Sequence, residues 1–442
     1  MVLTIESPDD SAARQPVHTV YGGAQLFKAQ TPARLGVHAL ELIRNYTPDA
    51  PSFAQCLGLP GGEFASSVFD RTIAKLEREP VEDFRIDFED GYGYRSDAEE
   101  DGHAQSAAQA LARAAAKPDF PPFVGIRIKP FTEALRARAS RTLDLFFEAL
   151  CSETIQLPGN FCVTLPKISV PEQVAELEEM LERLELRHGL QPGVLKIELM
   201  IETPQAIINA FGSFGIPKLI EAARGRCRGL HFGPYDYAAS CDIAAAEQRL
   251  DHPACDFARN VMQVSAAGRG VTLSDGPSTI LPIPRHRASS GSSRAGRAGA
   301  GSTGAGSALT EEQQRENREI VHRAMRHHFE LVQRSLANGY YQGWDLHPGQ
   351  LPTRYAAVYA FFLKSLQPAA ARLRNFIGKA AQATLVGDVF DDAATGQGLL
   401  NFLLRGVNCG AITEQEAGAS GLTIEELRGR SFSKILDNRR SG

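Results

Sequence analysis

Cysteine is sparse in this 442-residue chain, and its seven copies are scattered, with no CxxC pair and no metal-type spacing. That excludes a zinc-ribbon reading. An odd, widely spaced set also argues against a disulfide framework and for a reducing compartment. Excess positive charge is missing too: 47 Lys and Arg stand against 52 Asp and Glu, a formal net charge of -5. A mildly acidic chain without a basic stripe gives no footing for nucleic acid or an anionic membrane as partner. No apolar run approaches the roughly 18 residues that a membrane span needs. The opening residues, MVLTIESPDDSAAR, are acidic and carry no apolar stretch of signal type. Together these absences predict a cytoplasmic protein.

What is present is ordinary globular composition, 43% hydrophobic and 22% charged, enough for one large domain with an appendage or for two domains. One stretch stands apart. Residues 288–308, ASSGSSRAGRAGAGSTGAGSA, hold too little apolar surface to offset ordering entropy, and are expected to be a disordered insertion in a surface loop. Elsewhere strand and helix signals alternate. Strands are expected at 24–30, 84–90, 123–129, 161–167, 194–202, 228–233, 270–274 and 340–346. Helical patterns lie between them, among them 97–116, 131–150, 171–188, 255–267 and 310–337. That order implies βα units and a parallel sheet.

The strands choose between an open sheet and a barrel. Central strands of an open parallel sheet read as continuous apolar runs. Here Leu195, Ile197, Leu199 and Ile201 alternate with Lys196, Glu198, Met200 and Glu202, and Phe84, Ile86 and Phe88 with Arg85, Asp87 and Glu89. An apolar face suits a helix layer, while a charged face needs an interior where charges can pair. The expected fold is therefore α/β, a (β/α)8 TIM barrel. The expected organisation is an N-terminal tail at 1–23, the barrel at 24–367 with its low-complexity insertion, and a mainly helical C-terminal extension at 368–442.

Polar residues gather near the predicted C-terminal strand ends: Asp87, Glu89 and Asp90, then Arg127 and Lys129, Lys167, Glu202, Asp236, Asp275, and finally Asp345 with His347. In a barrel these ends share one mouth. Carboxylates crowded there repel unless protonated or neutralised, and a hard divalent cation is the economical neutraliser. Taken singly, each acid is equally readable as a loop residue or helix cap. Thr203-Pro204 reads as such a cap, and Gly91 and Gly93 as turn residues.

Six segments in order strengthen the reading. They are IDFEDGYG (86–93), GIRIKP (125–130), TLPKI (164–168), ELMIETPQAI (198–207), LHFGPYDYAAS (230–240) and GWDLHPGQL (343–351). With them the chain resembles the HpcH/HpaI aldolase/citrate lyase group, citrate lyase β-subunit-like and malyl-CoA lyase-like, of the phosphoenolpyruvate/pyruvate barrel superfamily. The resemblance runs over about 24–366, apart from the insertion. It implies a metal-dependent carbon–carbon lyase with Glu202 and Asp236 as ligands of Mg²⁺ or Mn²⁺. It gives Arg127 to substrate binding and enolate stabilisation, with Asp87, Glu89 and Asp90 beside it. Glu89 and Asp90 join Arg127 as the catalytic candidates, and Lys129, Lys167 and His347 join it as substrate-binding candidates. A homo-oligomer, trimer or hexamer, is implied by the same analogy. Features of acyl-CoA binding are not recognisable, so both a free hydroxy- or oxo-acid and its thioester stay open. The tail departs from the family, and Asp391 or Asp392 is weighed there as a lid acid against a helix cap. Two other functions remain: a phosphoenolpyruvate-using phosphotransferase, for which His231 or His347 would have to serve, and a non-catalytic binding barrel.

Overall fold

Eight short strands, each hydrogen-bonded to the next in chain order, close on themselves: β1 (His18–Gly23), β2 (Asp83–Asp87), β3 (Phe123–Arg127), β4 (Phe161–Leu165), β5 (Lys196–Ile201), β6 (Cys227–Phe232), β7 (Thr272–Asp275) and β8 (Gln342–Asp345). All neighbours are parallel, and β8 pairs with β1 through His18–Gly343 and Val20–Asp345. The computed structural model describes residues 14–117, 119–153, 157–287, 308–378, 384–386, 389–391, 393–429, 431–432, 434–435 and 439. Of the 288–308 insertion only Ala308 is described.

The expected (β/α)8 barrel is the observed fold, with its first strand displaced. It lies at His18–Gly23, and Ala24–Leu26 forms a 3-10 turn. Gly22-Gly23 reads as a break in sequence, yet both glycines belong to the strand because neighbours come too close for a side chain. A Cβ on Gly22 would lie 2.7 Å from the Phe84 ring, and one on Gly23 2.3 Å from the Gly91 carbonyl. The long segment before β2 holds three helices, Thr31–Tyr46, Ala50–Leu57 and Glu63–Arg78.

Local chemistry fixes the helix ends. Pro171 opens Pro171–His188, and Gly189 closes it in the left-handed region. Ser96 with Glu99, and Thr310 with Gln313, form capping boxes at the starts of Asp97–Ala115 and Glu311–Ala337. The helix expected from 131 begins instead at Arg136, because Thr132 and Leu135 first make a turn after Pro130.

The strand alternation works as expected. Ile197, Leu199 and Ile201 are fully buried in the apolar layer. Across the barrel interior Arg85 pairs with Asp83 and with Glu198 (2.5 Å), and Thr164 donates to Glu198 (3.1 Å). Thr19 donates to Asp83 (2.8 Å) and accepts from Gln342 (2.9 Å). The barrel core is thus a neutralised polar lattice in place of stacked branched aliphatics.

After β8, one helix runs from Leu351 to Gly378 with Pro368 inside it. A short antiparallel pair, Thr384–Val386 with Val389–Asp391, follows, then helices Ala393–Asn408, Glu414–Gly418 and Ile424–Arg428. This is a mainly helical C-terminal part. Asp392 lies outside the described residues, as does the side chain of Asp391. No described helix is long and apolar enough to cross a membrane.

Candidate functional site

Asp87 ends β2 and stands opposite Arg127 in strand register, so their side chains meet at the mouth. Asp87 accepts from Arg127 Nε (2.7 Å) and Nη2 (2.5 Å). It also accepts the backbone N–H of Glu89 (2.9 Å) and of Gly91 (2.7 Å), which folds the acidic loop back over the strand. A Cβ on Gly91 would lie 2.6 Å from that carboxylate, and Gly93 has φ +76°, so both glycines serve the turn as expected.

Arg127 Nη1 remains for Glu89 (3.0 Å) and Asp90 (3.5 Å). Its guanidinium lies 4.8 Å over the Tyr21 ring. Burial works against the charge on Arg127, but Asp87 and Glu89 outweigh it and hold the pKa above the usual arginine range.

Lys167 follows β4 in the left-handed region, φ +50°, an uncommon backbone state for a side-chain-bearing residue. The strained turn aims its backbone N–H at Glu202 Oε1 (2.6 Å). Its ammonium ion-pairs with Glu89, with Asp90 (3.3 Å) and with Asp236 (3.9 Å). Glu202 is 1% exposed at the end of β5. Burial pushes its carboxyl up to about 8, with Lys167 opposing and Asp236 reinforcing the rise. Room for it depends on Gly233, where a Cβ would come within 2.5 Å of Glu202 Oε2. Asp236 stands in the first turn of Pro234–Ser240 and is half exposed. Burial raises the Glu89 pKa, with Arg127 opposing. For Asp90 the hydrogen bond with Glu89 and the Arg127 and Lys167 charges outweigh burial and lower it.

Not every strand-end residue joins this pit. Asp345 faces outward between β8 and the helices, bound by Arg354 (2.9 Å) and His328 (3.1 Å), with His18 at 3.5 Å. Asp275 also faces outward, to Arg259 (3.2 Å) and Ser335 (2.6 Å). Their strands end on the outward phase of the alternation, which corrects the seven-carboxylate mouth to five: Asp87, Glu89, Asp90, Glu202 and Asp236. Lys129 donates to the Phe88 carbonyl (2.7 Å) and pairs with Glu100 (2.8 Å), tying the loop to a helix. His347 accepts from the Gly349 N–H (3.0 Å), capping a turn.

Below the pit is a floor that sequence reasoning missed. Tyr21 donates to His231 Nδ1 (3.2 Å), and so does Trp344 Nε1 (3.2 Å). An indole N–H only donates, so His231 carries its proton on Nε2, which faces Glu198 at 3.4 Å. Tyr21 was hidden because its strand was expected to start six residues late, at 24 where it starts at His18.

The pit can take a hard divalent ion. Glu89, Asp90 and Asp236 share the Lys167 ammonium, Glu202 takes the Lys167 backbone N–H, and burial with the nearby Asp236 charge raises the Glu202 pKa against the opposing Lys167 charge. Among the described residues no group of three or more His, Cys, Asp or Glu could hold a metal by itself. One or two carboxylates with water and substrate oxygens suffice for Mg²⁺.

In shape the chain is similar to a citrate lyase from Burkholderia xenovorans LB400, with a TM-score of 0.56 and 19% identity, covering 92% of this chain and 96% of that one. It is also similar to the protein CitE from Mycobacterium tuberculosis, in complex with magnesium, acetoacetate and coenzyme A, with a TM-score of 0.48 and 15% identity over 90% of this chain and 99% of that one. Haloferax volcanii malate synthase, in a magnesium/glyoxylate complex, gives a TM-score of 0.45 and 14% identity over 95% and 96%. The resemblance seen in the motifs to the citrate lyase group thus holds at the level of the barrel fold. A search of curated protein sequences found no match. The family model described as a domain of unknown function (DUF6986) matches residues 2–435, and the chain belongs to that family.

Proposed function

We propose that the mouth is the active site of a metal-dependent carbon–carbon lyase acting on a hydroxy- or oxo-acid or its acyl-CoA thioester. One observation carries the reading: four carboxylates converge beside a buried arginine whose Nη1 reaches into the same pit, against Glu89 and Asp90. Glu202 and Asp236 would hold Mg²⁺ or Mn²⁺, with Glu89 and Asp90 beside them. When bound, the ion acts as a Lewis acid toward a substrate carbonyl and orients the acid's oxygens.

The remaining work falls to side chains. Arg127 is immobilised by the two hydrogen bonds it donates to Asp87, and so holds Nη1 in place, with little reorganisation, where negative charge would develop on a substrate oxygen. Glu89 and Asp90 have carboxyl groups pushed in opposite directions. That split suits Glu89 to move a proton at its Oε atoms while Asp90 stays ionised. Lys167 carries the positive charge that holds these acids together, and its ammonium is placed to meet a substrate carboxylate. Lys129 and His347 have partners away from the pit and enter this reading only as supports of its loops. A phosphohistidine route is disfavoured, because His231 is 1% exposed and packed between Tyr21, Trp344 and Glu198.

The test is a lyase screen with Mg²⁺ or Mn²⁺ over 3-hydroxyacyl-CoA esters and 4-hydroxy-2-oxo acids, following release of pyruvate, glyoxylate, oxaloacetate or acetyl-CoA. Turnover that requires metal and disappears in Glu202→Gln and Asp236→Asn is the expected result. Wild-type protein that binds neither ion by calorimetry would overturn the reading.

A further inference from the structure

Three inward side chains form a line across the floor of the pit. Leu230 and Phe232 lie in the apolar layer, so His231 between them on β6 points into the barrel. Its Nδ1 accepts from the Tyr21 hydroxyl on β1 (3.2 Å), and its Nε2 faces Glu198 on β5 (3.4 Å). Tyr21 is half-buried, while His231 and Glu198 are buried. Toward the pit the line therefore opens at Tyr21, whose ring lies 4.8 Å beneath the Arg127 guanidinium.

Hydroxyl, imidazole and carboxylate in that order let a histidine draw a proton from a weakly acidic hydroxyl. Two details distinguish the line from core packing. Trp344 Nε1–H also points at Nδ1 (3.2 Å), so that nitrogen is an acceptor at rest and Tyr21 is its donor. Glu198 is held by Arg85 Nη2 (2.5 Å), Arg85 Nε (3.0 Å) and Thr164 (3.1 Å), whereas His231 Nε2 is buried without a hydrogen bond. A neutral ring leaves that N–H idle, but in an imidazolium it meets a carboxylate charge and the contact strengthens. Burial raises the Tyr21 pKa well above the usual phenol range, with Glu198 adding to the rise, so the phenol keeps its proton until a base takes it.

We propose that Tyr21 takes the hydroxyl proton of a hydroxy-acid substrate, with His231 and Glu198 positioning Tyr21 and receiving its own proton. The assignment rests on the lyase reading and narrows it to hydroxy acids, free or as thioesters. The substrate hydroxyl proton passes to the Tyr21 oxygen as the Tyr21 proton passes to His231 Nδ1. The hydroxyl oxygen becomes a carbonyl, and the bond from its carbon to the carbon beside the substrate's own carbonyl breaks. The electron pair of that bond becomes the enolate beside Arg127, and Glu89 supplies a proton to the enolate carbon. Once product leaves, the proton on His231 returns through Tyr21 to water and Glu89 takes one from water, which resets both groups.

The test compares wild type, Tyr21→Phe, His231→Gln and the double variant, with Mg²⁺ and the 4-hydroxy-2-oxo acids and 3-hydroxyacyl-CoA esters. Each single variant should lower kcat about a hundredfold or more, the lower end of general acid–base catalysis, with KM little changed. The double variant should be no slower than the slower single, as for groups that act as a unit. Exchange of the methyl protons of pyruvate or acetyl-CoA with deuterium, followed by NMR, needs Arg127 and Glu89 but no hydroxyl base, and should persist in Tyr21→Phe. A floor that had merely collapsed would lose exchange and cleavage together. Nitrogen-15 NMR of histidine-labelled, substrate-free protein should show His231 protonated on Nε2, with the Nδ1 signal moving in Tyr21→Phe. An unchanged kcat in Tyr21→Phe, loss of exchange along with cleavage, or a resting His231 proton on Nδ1 would overturn the proposal and leave the lyase reading standing. Wild type inert in both cleavage and exchange would overturn that reading, and this assignment with it.

Discussion

Replacing Asp345 with asparagine should cripple the fold and spare the mouth. Asp345 is 0% exposed, receives Nε (3.2 Å) and Nη2 (2.9 Å) of Arg354, and faces His328 at 3.1 Å. Arg354 and Trp344 CO also bond (3.0 Å), so the guanidinium cannot swing to solvent. The substitution keeps the volume, removes the counter-charge and turns an amide donor toward donors. Breaking one partner of a buried pair costs about 3–5 kcal/mol. With an m-value of roughly 3 kcal/mol/M, urea unfolding would shift down by about 1–1.7 M. The assay is far-UV circular dichroism against urea, with Mg²⁺ calorimetry on the same sample. Asp345→Asn/Arg354→Met should recover much of the loss, since an apolar replacement of the whole pair is often neutral. A midpoint shift under about 0.3 M, or a loss of metal binding matching Glu202→Gln, would refute the placement of Asp345 outside the mouth.

Other outcomes follow from the same geometry. Glu202 titrates near 8, and an ion needs the carboxylate. Mg²⁺ affinity should therefore rise about tenfold per pH unit from 6 to 8 and then level, with proton release seen by calorimetry in two buffers; a flat profile contradicts the assignment. Gly233→Ala presses a Cβ to 2.5 Å from Glu202 Oε2, so Mn²⁺ affinity should fall at least roughly tenfold for about 1–3 kcal/mol of stability; unchanged affinity would mean that Glu202 is not a ligand. Burial lowers the His18 pKa to about 4, Asp345 opposing. The unfolded chain therefore takes up the proton first, and this contribution to stability is complete above about pH 6.5 and lost as pH falls toward 4. Calorimetric Tm should drop across that window, and His18→Gln should flatten the drop. Trp344, the one tryptophan in the chain, borders Tyr21 and His231, so its emission should change when a ligand fills the mouth and stay constant in Glu202→Gln.

The barrel was legible because strand alternation is a direct consequence of having helices outside and paired charges inside. Arg85, Asp87, Arg127 and Glu198 declare the interior by their period alone. Which acids reach the mouth was less legible, because it depends on the phase in which a strand ends. β5 carries its inward phase on to Glu202, while β7 and β8 stop one residue off at Asp275 and Asp345, a difference that sequence spacing alone does not expose. β1 was misplaced because its glycines look like a turn until Phe84 and the Gly91 carbonyl are seen filling the space. The partners of Asp345, Arg354 on the helix that follows β8 and His328 on the helix before it, meet it only once the barrel closes, and strand alternation does not show that.

The helix Leu351–Gly378 has a consequence for how the molecule can be cut. It is 28 residues long, about 42 Å at 1.5 Å per residue, and passes through 367 and 368 without interruption. Its first half packs on the helices around β1, and Leu366, Ala369, Ala370 and Leu373 continue the same buried face toward Ala393–Asn408. A gene truncated at 367 would sever a continuous rod mid-turn and expose that apolar seam to water. The C-terminal part is therefore no detachable module to be traded between proteins, and a protease or a melting curve should find barrel and tail yielding together.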